Sequence, residues 1–162
     1  MAGMDILGWS AAHWFELLQS AGIICGLLFT GFALRDEKKV IGVQTLFTIT
    51  EHHRDLWTQL YSRPDLSRVL LGQADLKSRD ITTDETRFIN LVVLHTFAAY
   101  RASKAGIYVR PENLSKDVGG FFALPIPFAV WSNLKESQDR DFVSFIDKSI
   151  VDFKASQSAG TK

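Results

Sequence analysis

The sequence predicts an all-α protein in which a single N-terminal transmembrane helix continues into a small cytosolic helical bundle. Three observations predict this fold class. An uncharged, mostly apolar run of 18 residues extends from Leu17 to Leu34. The apolar residues that follow it recur at spacings of three and four, which is the period of an amphipathic helix. No stretch alternates polar and apolar residues over the length of a strand.

The uncharged run has the length and composition of a membrane span. At ~1.5 Å per residue it extends roughly 27 Å, and Trp14 and Phe15 bring it close to the ~30 Å of a bilayer core. Its apolar side chains cover every side of the helix, which favours lipid over the interior of a 162-residue chain. A buried central helix remains the alternative, whereas a cleaved signal would need a basic start and a shorter core. We assign 14–36 to the transmembrane helix and 1–13 to a short extracytoplasmic tail.

The basic residues predict the orientation of the span. All 18 Lys and Arg residues lie at or beyond Arg35. Arg35, Lys38 and Lys39 follow the span directly, and no basic residue precedes it. The positive-inside rule therefore places the N-terminus outside and the rest of the chain in the cytoplasm.

A ridge of small residues lies within the span. Gly22 and Gly26 are four residues apart, and Thr30 continues the same ridge. Small residues at this spacing allow a second helix to approach closely, so the ridge is a candidate face for membrane-helix packing.

The bundle is predicted to occupy 37–155 and begins as a continuation of the first helix. No proline interrupts the chain from Leu17 to Arg63, and Pro64 then opens a short helix that ends before Gly72. A capping box formed by Thr82 and Glu85 starts the next helix.

The capping-box helix is predicted to end at Gly106 and, being apolar on nearly all sides, to be the central one. A proline-opened helix then stops at the Gly119–Gly120 pair. Two prolines in 121–131 predict an irregular connector there, either buried or in contact with the membrane. The last helix starts at Asp139 or Arg140 and ends near Ala155, followed by a disordered tail, 156–162.

Composition excludes several classes of function. The chain has no net charge, and beyond the span 18 basic residues face 16 acidic ones, so we expect no nucleic-acid partner. Cys25 is the only cysteine, which leaves no pair for a disulfide or for a zinc or redox motif. Hydrolase, P-loop and dinucleotide motifs are absent. We therefore predict neither a catalytic residue nor a cofactor.

Histidines are the remaining candidates for chemistry. Glu51 to Asp55 read "EHHRD", but adjacent helical residues point about 100° apart and do not converge on one metal ion, so we predict no metal site. His53 and His95 are predicted to face inward from neighbouring helices, either as core residues or as a pair that acts as a base or responds to pH. Arg101 is a second kind of candidate, because with Arg54 or Arg110 it would form a small anion-binding pocket; the alternative is a solvated face at the end of a helix.

Three segments carry a resemblance to a family. The span ending "LLFTGFALRDEKK", the helix "LFTITEHHRDLWTQLYSRPDLSRVL" and the later "FFALPIPFAVW" resemble an uncharacterised family of small bacterial proteins. Its members have one N-terminal membrane helix and a cytosolic helical domain. The resemblance implies the bacterial inner membrane as the location and implies no activity.

Three hypotheses for function follow from these observations. The first is a non-enzymatic, membrane-anchored accessory subunit or adaptor that contacts lipid and pairs with a protein partner or with a second copy. The alternative is a membrane-tethered sensor or stress and defence effector that binds a small anionic ligand. The third is an enzyme that uses His53 and His95.

Overall fold

The structure is a computed structural model that describes residues 14–159, apart from the side chains at positions 17, 36, 38 and 39. Within this range the chain is all-helical, as predicted, and contains no strand. Five α-helices are present: α1 (Trp14–Ser62), α2 (Thr83–Lys104), α3 (Pro111–Phe122), α4 (Pro125–Leu134) and α5 (Arg140–Ala159). Two 3-10 helices, Pro64–Leu70 and Lys135–Ser137, complete the architecture. The predicted tail 1–13 and the last three residues lie outside the described range.

The chain divides into two compact units, the first ending at Val43 and the second beginning at Gln44. The first unit contains the N-terminal part of α1. Its most apolar 18-residue window has a mean hydropathy of 1.9, and none of that window is buried. The helix is long and apolar enough to span a membrane, although length and composition alone are weak evidence for a span.

The second unit contains a hydrophobic core built around α2, which packs against α3, α4 and the first 3-10 helix. The capping-box helix therefore contributes to the core, but it is not enclosed on all sides, because Leu91 and Leu94 are exposed. The largest fully buried side chain of the core is Trp131 of α4, which contacts Phe122 and Phe142 edge to face. The indole of Trp131 donates a hydrogen bond to Asp147 (2.9 Å), so its one polar atom is satisfied where its ring is buried.

The start of α2 has the predicted capping box. The Thr82 hydroxyl accepts from the backbone N–H of Glu85 (3.2 Å), and the Glu85 carboxylate accepts from the backbone N–H of Thr82 (2.8 Å). Glu85 is fully buried, and its carboxylate also accepts from the Arg68 guanidinium (2.8 Å). Burial raises the pKa of Glu85, but the hydrogen bonds from Arg68 and Thr82 outweigh it and hold the pKa below its usual value. The end of α2 is also as predicted, since Gly106 has a φ of 72°.

The prediction that α3 ends at Gly119–Gly120 is wrong, because the helix continues to Phe122. These glycines have helical rather than left-handed backbone angles. A Cβ atom on Gly119 would clash with the backbone of Ser149, so the glycine permits close packing of α3 on α5.

The irregular connector predicted over 121–131 is also wrong. Helical structure is interrupted only at Ala123 and Leu124, and α4 begins at Pro125. Both prolines lie in the first turn of α4, where backbone N–H groups have no partner within the helix, so the missing N–H removes no bond. Because Ile126, Pro127 and Val130 are buried, this segment belongs to the core.

The last helix starts at Arg140 as predicted but continues to Ala159, so residues 156–159 are helical and not a disordered tail. The hydroxyls of Ser156 and Ser158 donate to the carbonyls three residues earlier, at 2.7 and 2.8 Å. These bonds keep short polar side chains on the helix surface.

Candidate functional site

The structure brings His53 of α1 and His95 of α2 together. His53 Nδ1 lies 3.4 Å from His95 Nε2, and the centres of the two rings are 5.3 Å apart. The proposed enzyme required these imidazoles to meet, and they do. A hydrogen bond of 3.4 Å is longer than the ~3.0 Å typical of N–H donors, so the contact is weak.

Trp57 fixes the tautomer of His53. The indole N–H of Trp57, one helical turn beyond His53, lies 2.9 Å from His53 Nε2. An indole nitrogen only donates, so Nε2 of His53 is the acceptor and carries no proton. In the neutral ring the proton therefore resides on Nδ1, which donates to Nε2 of His95.

The same argument places the proton of His95 on its Nδ1 atom. Since His95 Nε2 accepts from His53, the neutral ring carries its proton on the other nitrogen. Nδ1 is buried and has no hydrogen-bond partner within the described part of the chain. The three side chains thus form a one-way series of donors, from Trp57 to His53 to His95, whose last N–H has no acceptor.

His95 is uncharged at neutral pH. Burial, together with the smaller effects of the nearby His53 and His52, lowers the pKa of His95 to about 4. A charged imidazolium at this position would lose solvation, which is the larger of the two effects. His95 is therefore the neutral, donor end of the series.

The pair does not have the chemistry of a metal centre. A metal ligand needs a free lone pair, and the tautomer that Trp57 fixes puts a proton on the His53 nitrogen that faces His95. Over residues 14–159 no cluster of three or more potential ligands forms.

An open, mostly apolar groove runs beside the pair, between α1 and α2, with a volume of about 540 Å³. Its lining is His52, Asp55, Leu56, Gln59, Leu91, Leu94, His95, Phe97 and Ala98. A smaller cavity of about 100 Å³ lies on the side of His53, Trp57 and Phe88. Leu56 and His95 line both spaces and so form the wall between them.

The arginines proposed to form an anion-binding pocket do not lie at the histidine pair. Arg101 lies six residues beyond His95 on α2, a step that turns about 240° around a helix and puts it on another face. Arg54 lies 3.8 Å from Glu51 on the same helix. Neither the groove nor the smaller cavity is lined by Arg54, Arg101 or Arg110.

The residues predicted to act in the membrane lie in the first unit. Cβ atoms built on Gly22 and Gly26 would meet nothing within 4 Å, and the Thr30 hydroxyl donates to the carbonyl of Gly26 (2.8 Å). The small-residue ridge is therefore open to a second helix. Arg35 is exposed at the end of the apolar run, and the side chains of Lys38 and Lys39 lie outside the described residues.

Sequence analysis missed the role of Trp57. Its indole N–H fixes the donor direction of the pair, and the sequence alone did not single it out. The signal was present, because His53 and Trp57 are four residues apart and such pairs face each other on a helix.

Comparisons with known proteins add no relative. No protein-family model, curated protein or solved structure matches the chain. The resemblance to a bacterial family therefore stays a prediction, and function is argued from the chain itself.

Proposed function

We propose that the chain is a non-enzymatic, membrane-anchored helical protein that acts as an accessory subunit or adaptor of a larger membrane-associated complex. The observation that carries the proposal is the exposure of the apolar N-terminal part of α1. Ile24, Leu27, Leu28 and Phe29 are each at least 58% exposed, and nothing in the first unit covers them. Burying such a surface is strongly favourable, at roughly 25 cal/mol per Å². Lipid or a partner helix would supply that burial.

Membrane retention is tested by placing charge in the middle of the span. We expect Ile24→Arg/Leu28→Arg to release the chain from the membrane, because each central arginine costs about 2.5–3.5 kcal/mol on insertion. Val151→Arg/Ala155→Arg is the matched control, since it adds the same charge at exposed positions of α5. Membrane fractionation measures the outcome. Equal retention of the two variants would refute the span.

Orientation is tested with a single cysteine at the other end of the chain. In a Cys25→Ser background, Ser158→Cys places a thiol on the exposed end of α5. The proposed location is the bacterial inner membrane with the N-terminus outside, so a membrane-impermeant maleimide should label this thiol only after permeabilisation. Labelling in intact cells would reverse the orientation.

Assembly is tested at the open glycine ridge. Gly22→Ile/Gly26→Ile should reduce the mass of the detergent-solubilised assembly, because branched side chains prevent close helix approach. Gly31→Ile is the control, since Gly31 is equally open but lies on roughly the opposite side of α1. A wild-type chain that is strictly monomeric, with no co-purifying protein, would contradict the adaptor role.

A further inference from the structure

We propose that the groove between α1 and α2 binds an apolar small molecule with a neutral carbonyl oxygen, to which Nδ1 of His95 donates a hydrogen bond. The inference concerns the second unit alone and does not depend on the membrane span. It begins from His95, a residue that lines the groove and whose covered Nδ1–H has no partner in the described part of the chain. A buried donor without an acceptor is rare in folded proteins and indicates a missing partner.

The groove has the size and lining of a small-molecule site. Its volume of about 540 Å³ lies within the roughly 300–1,000 Å³ of ordinary ligand pockets. Leucines and Phe97 form most of its surface, and Leu94 is 65% exposed there. The polar side chains of the lining are few, namely His52, Asp55, Gln59 and His95, and a few polar groups on an apolar surface are the arrangement that orients an apolar ligand.

The charges around the groove favour a neutral acceptor over an anion. His95 is uncharged at neutral pH, so it offers a hydrogen bond without a full positive charge. Asp55 lines the groove, and neither lysine nor arginine does. A carboxylate ligand would face Asp55 with no compensating cation, whereas a ketone, ester or quinone oxygen would not.

Ligand binding requires the ring of His95 to turn, since Nδ1 is covered in the free protein. The other nitrogen is restrained only by the 3.4 Å contact with His53. Rotation about Cβ–Cγ gives up that one weak hydrogen bond, and the proposal requires that it bring Nδ1 toward the groove. The wall that His95 shares with the smaller cavity leaves space on both sides of the ring.

The test uses the full chain in lipid nanodiscs and benzophenone, an apolar ketone that forms covalent bonds where it binds when illuminated. Peptide mapping should find the label in 52–59 and 91–98. Fluorenone, fluorene and fluorene-9-carboxylate are the competitors, as a ketone, a hydrocarbon and an anion of one shape. For each protein we compare how strongly fluorenone and fluorene reduce the benzophenone label. We expect the preference for fluorenone over fluorene to be about tenfold higher in the wild type than in His95→Phe, since one hydrogen bond is worth roughly a factor of ten.

Comparing this preference in two proteins cancels any difference in how the competitors enter lipid. Leu94→Arg should abolish the label in the groove, and because Leu94 is exposed this variant leaves the core intact. Val151→Arg, at an exposed position on α5, should not affect the label. An equal preference in the wild type and His95→Phe would overturn the proposal, as would label confined to 14–34. Stronger competition by the carboxylate would overturn the neutral acceptor.

Discussion

Replacing His95 by phenylalanine should flatten the dependence of folding stability on pH. The substitution keeps a planar ring in the wall of the groove and removes the titrating group. It also removes the buried N–H that has no acceptor. Because such an unpaired donor destabilises the wild type by about 1–3 kcal/mol, its removal is stabilising. His53 loses its acceptor at the same time, a loss of about 1 kcal/mol. We therefore expect the stability of the variant at pH 7 to be equal to or slightly above that of the wild type.

The pH dependence follows from the lowered pKa of His95. The pKa is 6.5 in the unfolded chain and about 4 in the folded one. Between these values the unfolded chain binds more protons, so wild-type stability falls as pH decreases from 6.5 toward 4. The full shift corresponds to ~3 kcal/mol at 1.36 kcal/mol per pKa unit. Since His95 is only half-buried and solvent weakens the effect, we expect about 1 kcal/mol of it between pH 7 and pH 5.

Urea unfolding followed by far-ultraviolet circular dichroism, in detergent at pH 7 and pH 5, measures this difference. His52→Gln is the matched control, because His52 is an exposed neighbour of the pair and its removal leaves His95 in place. The control should retain most of the loss of stability at pH 5, and His95→Phe should lose it. An equal pH dependence in wild type and His95→Phe would refute the proposed burial of a neutral imidazole.

Two further predictions concern packing and charge in the second unit. Gly119→Ala should lower the free energy of unfolding, measured by urea unfolding, by about 1–2 kcal/mol, because the overpacking cost exceeds the ~1 kcal/mol gain in helix propensity. Gly120→Ala should be neutral or stabilising in the same assay, because its Cβ would lie 3.4 Å from the nearest ring atom. Arg68→Met should lower the free energy of unfolding by about 3–5 kcal/mol, since it leaves the buried Glu85 carboxylate without its cation. Arg87→Met, at an exposed site, should change thermal stability little, and equal effects of the two substitutions would contradict the buried pair.

The parts of the fold that sequence predicted correctly depend on local chemistry. The capping box of Thr82 and Glu85 and the left-handed Gly106 involve residues within one turn of each other, so their pattern is sufficient. Gly119 has the same local signature as a helix stop, but its role depends on Ser149, 30 positions away. No local pattern distinguishes a glycine that ends a helix from one that admits a neighbouring helix.

The prolines of α4 show a related limit. Pro125 and Pro127 exclude a single regular helix across 121–131, and the helical structure is indeed interrupted just before them, at Ala123 and Leu124. Sequence analysis treated them as disruptive, but a proline in the first turn of a helix breaks no hydrogen bond. The distinction depends on where the helix starts, and no side chain at Leu124 caps it or marks the start.

The candidate site is intermediate between these cases. Helical periodicity predicted that His53 and His95 face inward, and the structure brings them to 3.4 Å, but His95 is only half-buried and His53 is exposed. Their chemistry depends on which nitrogen of each ring carries the proton, and a third residue, Trp57, determines this through one hydrogen bond. An acceptor in place of Trp57 would reverse the series and direct a free lone pair, not a proton, at the end of it. The choice between a donor site and a metal-binding site therefore rests on an indole that periodicity alone assigns to packing.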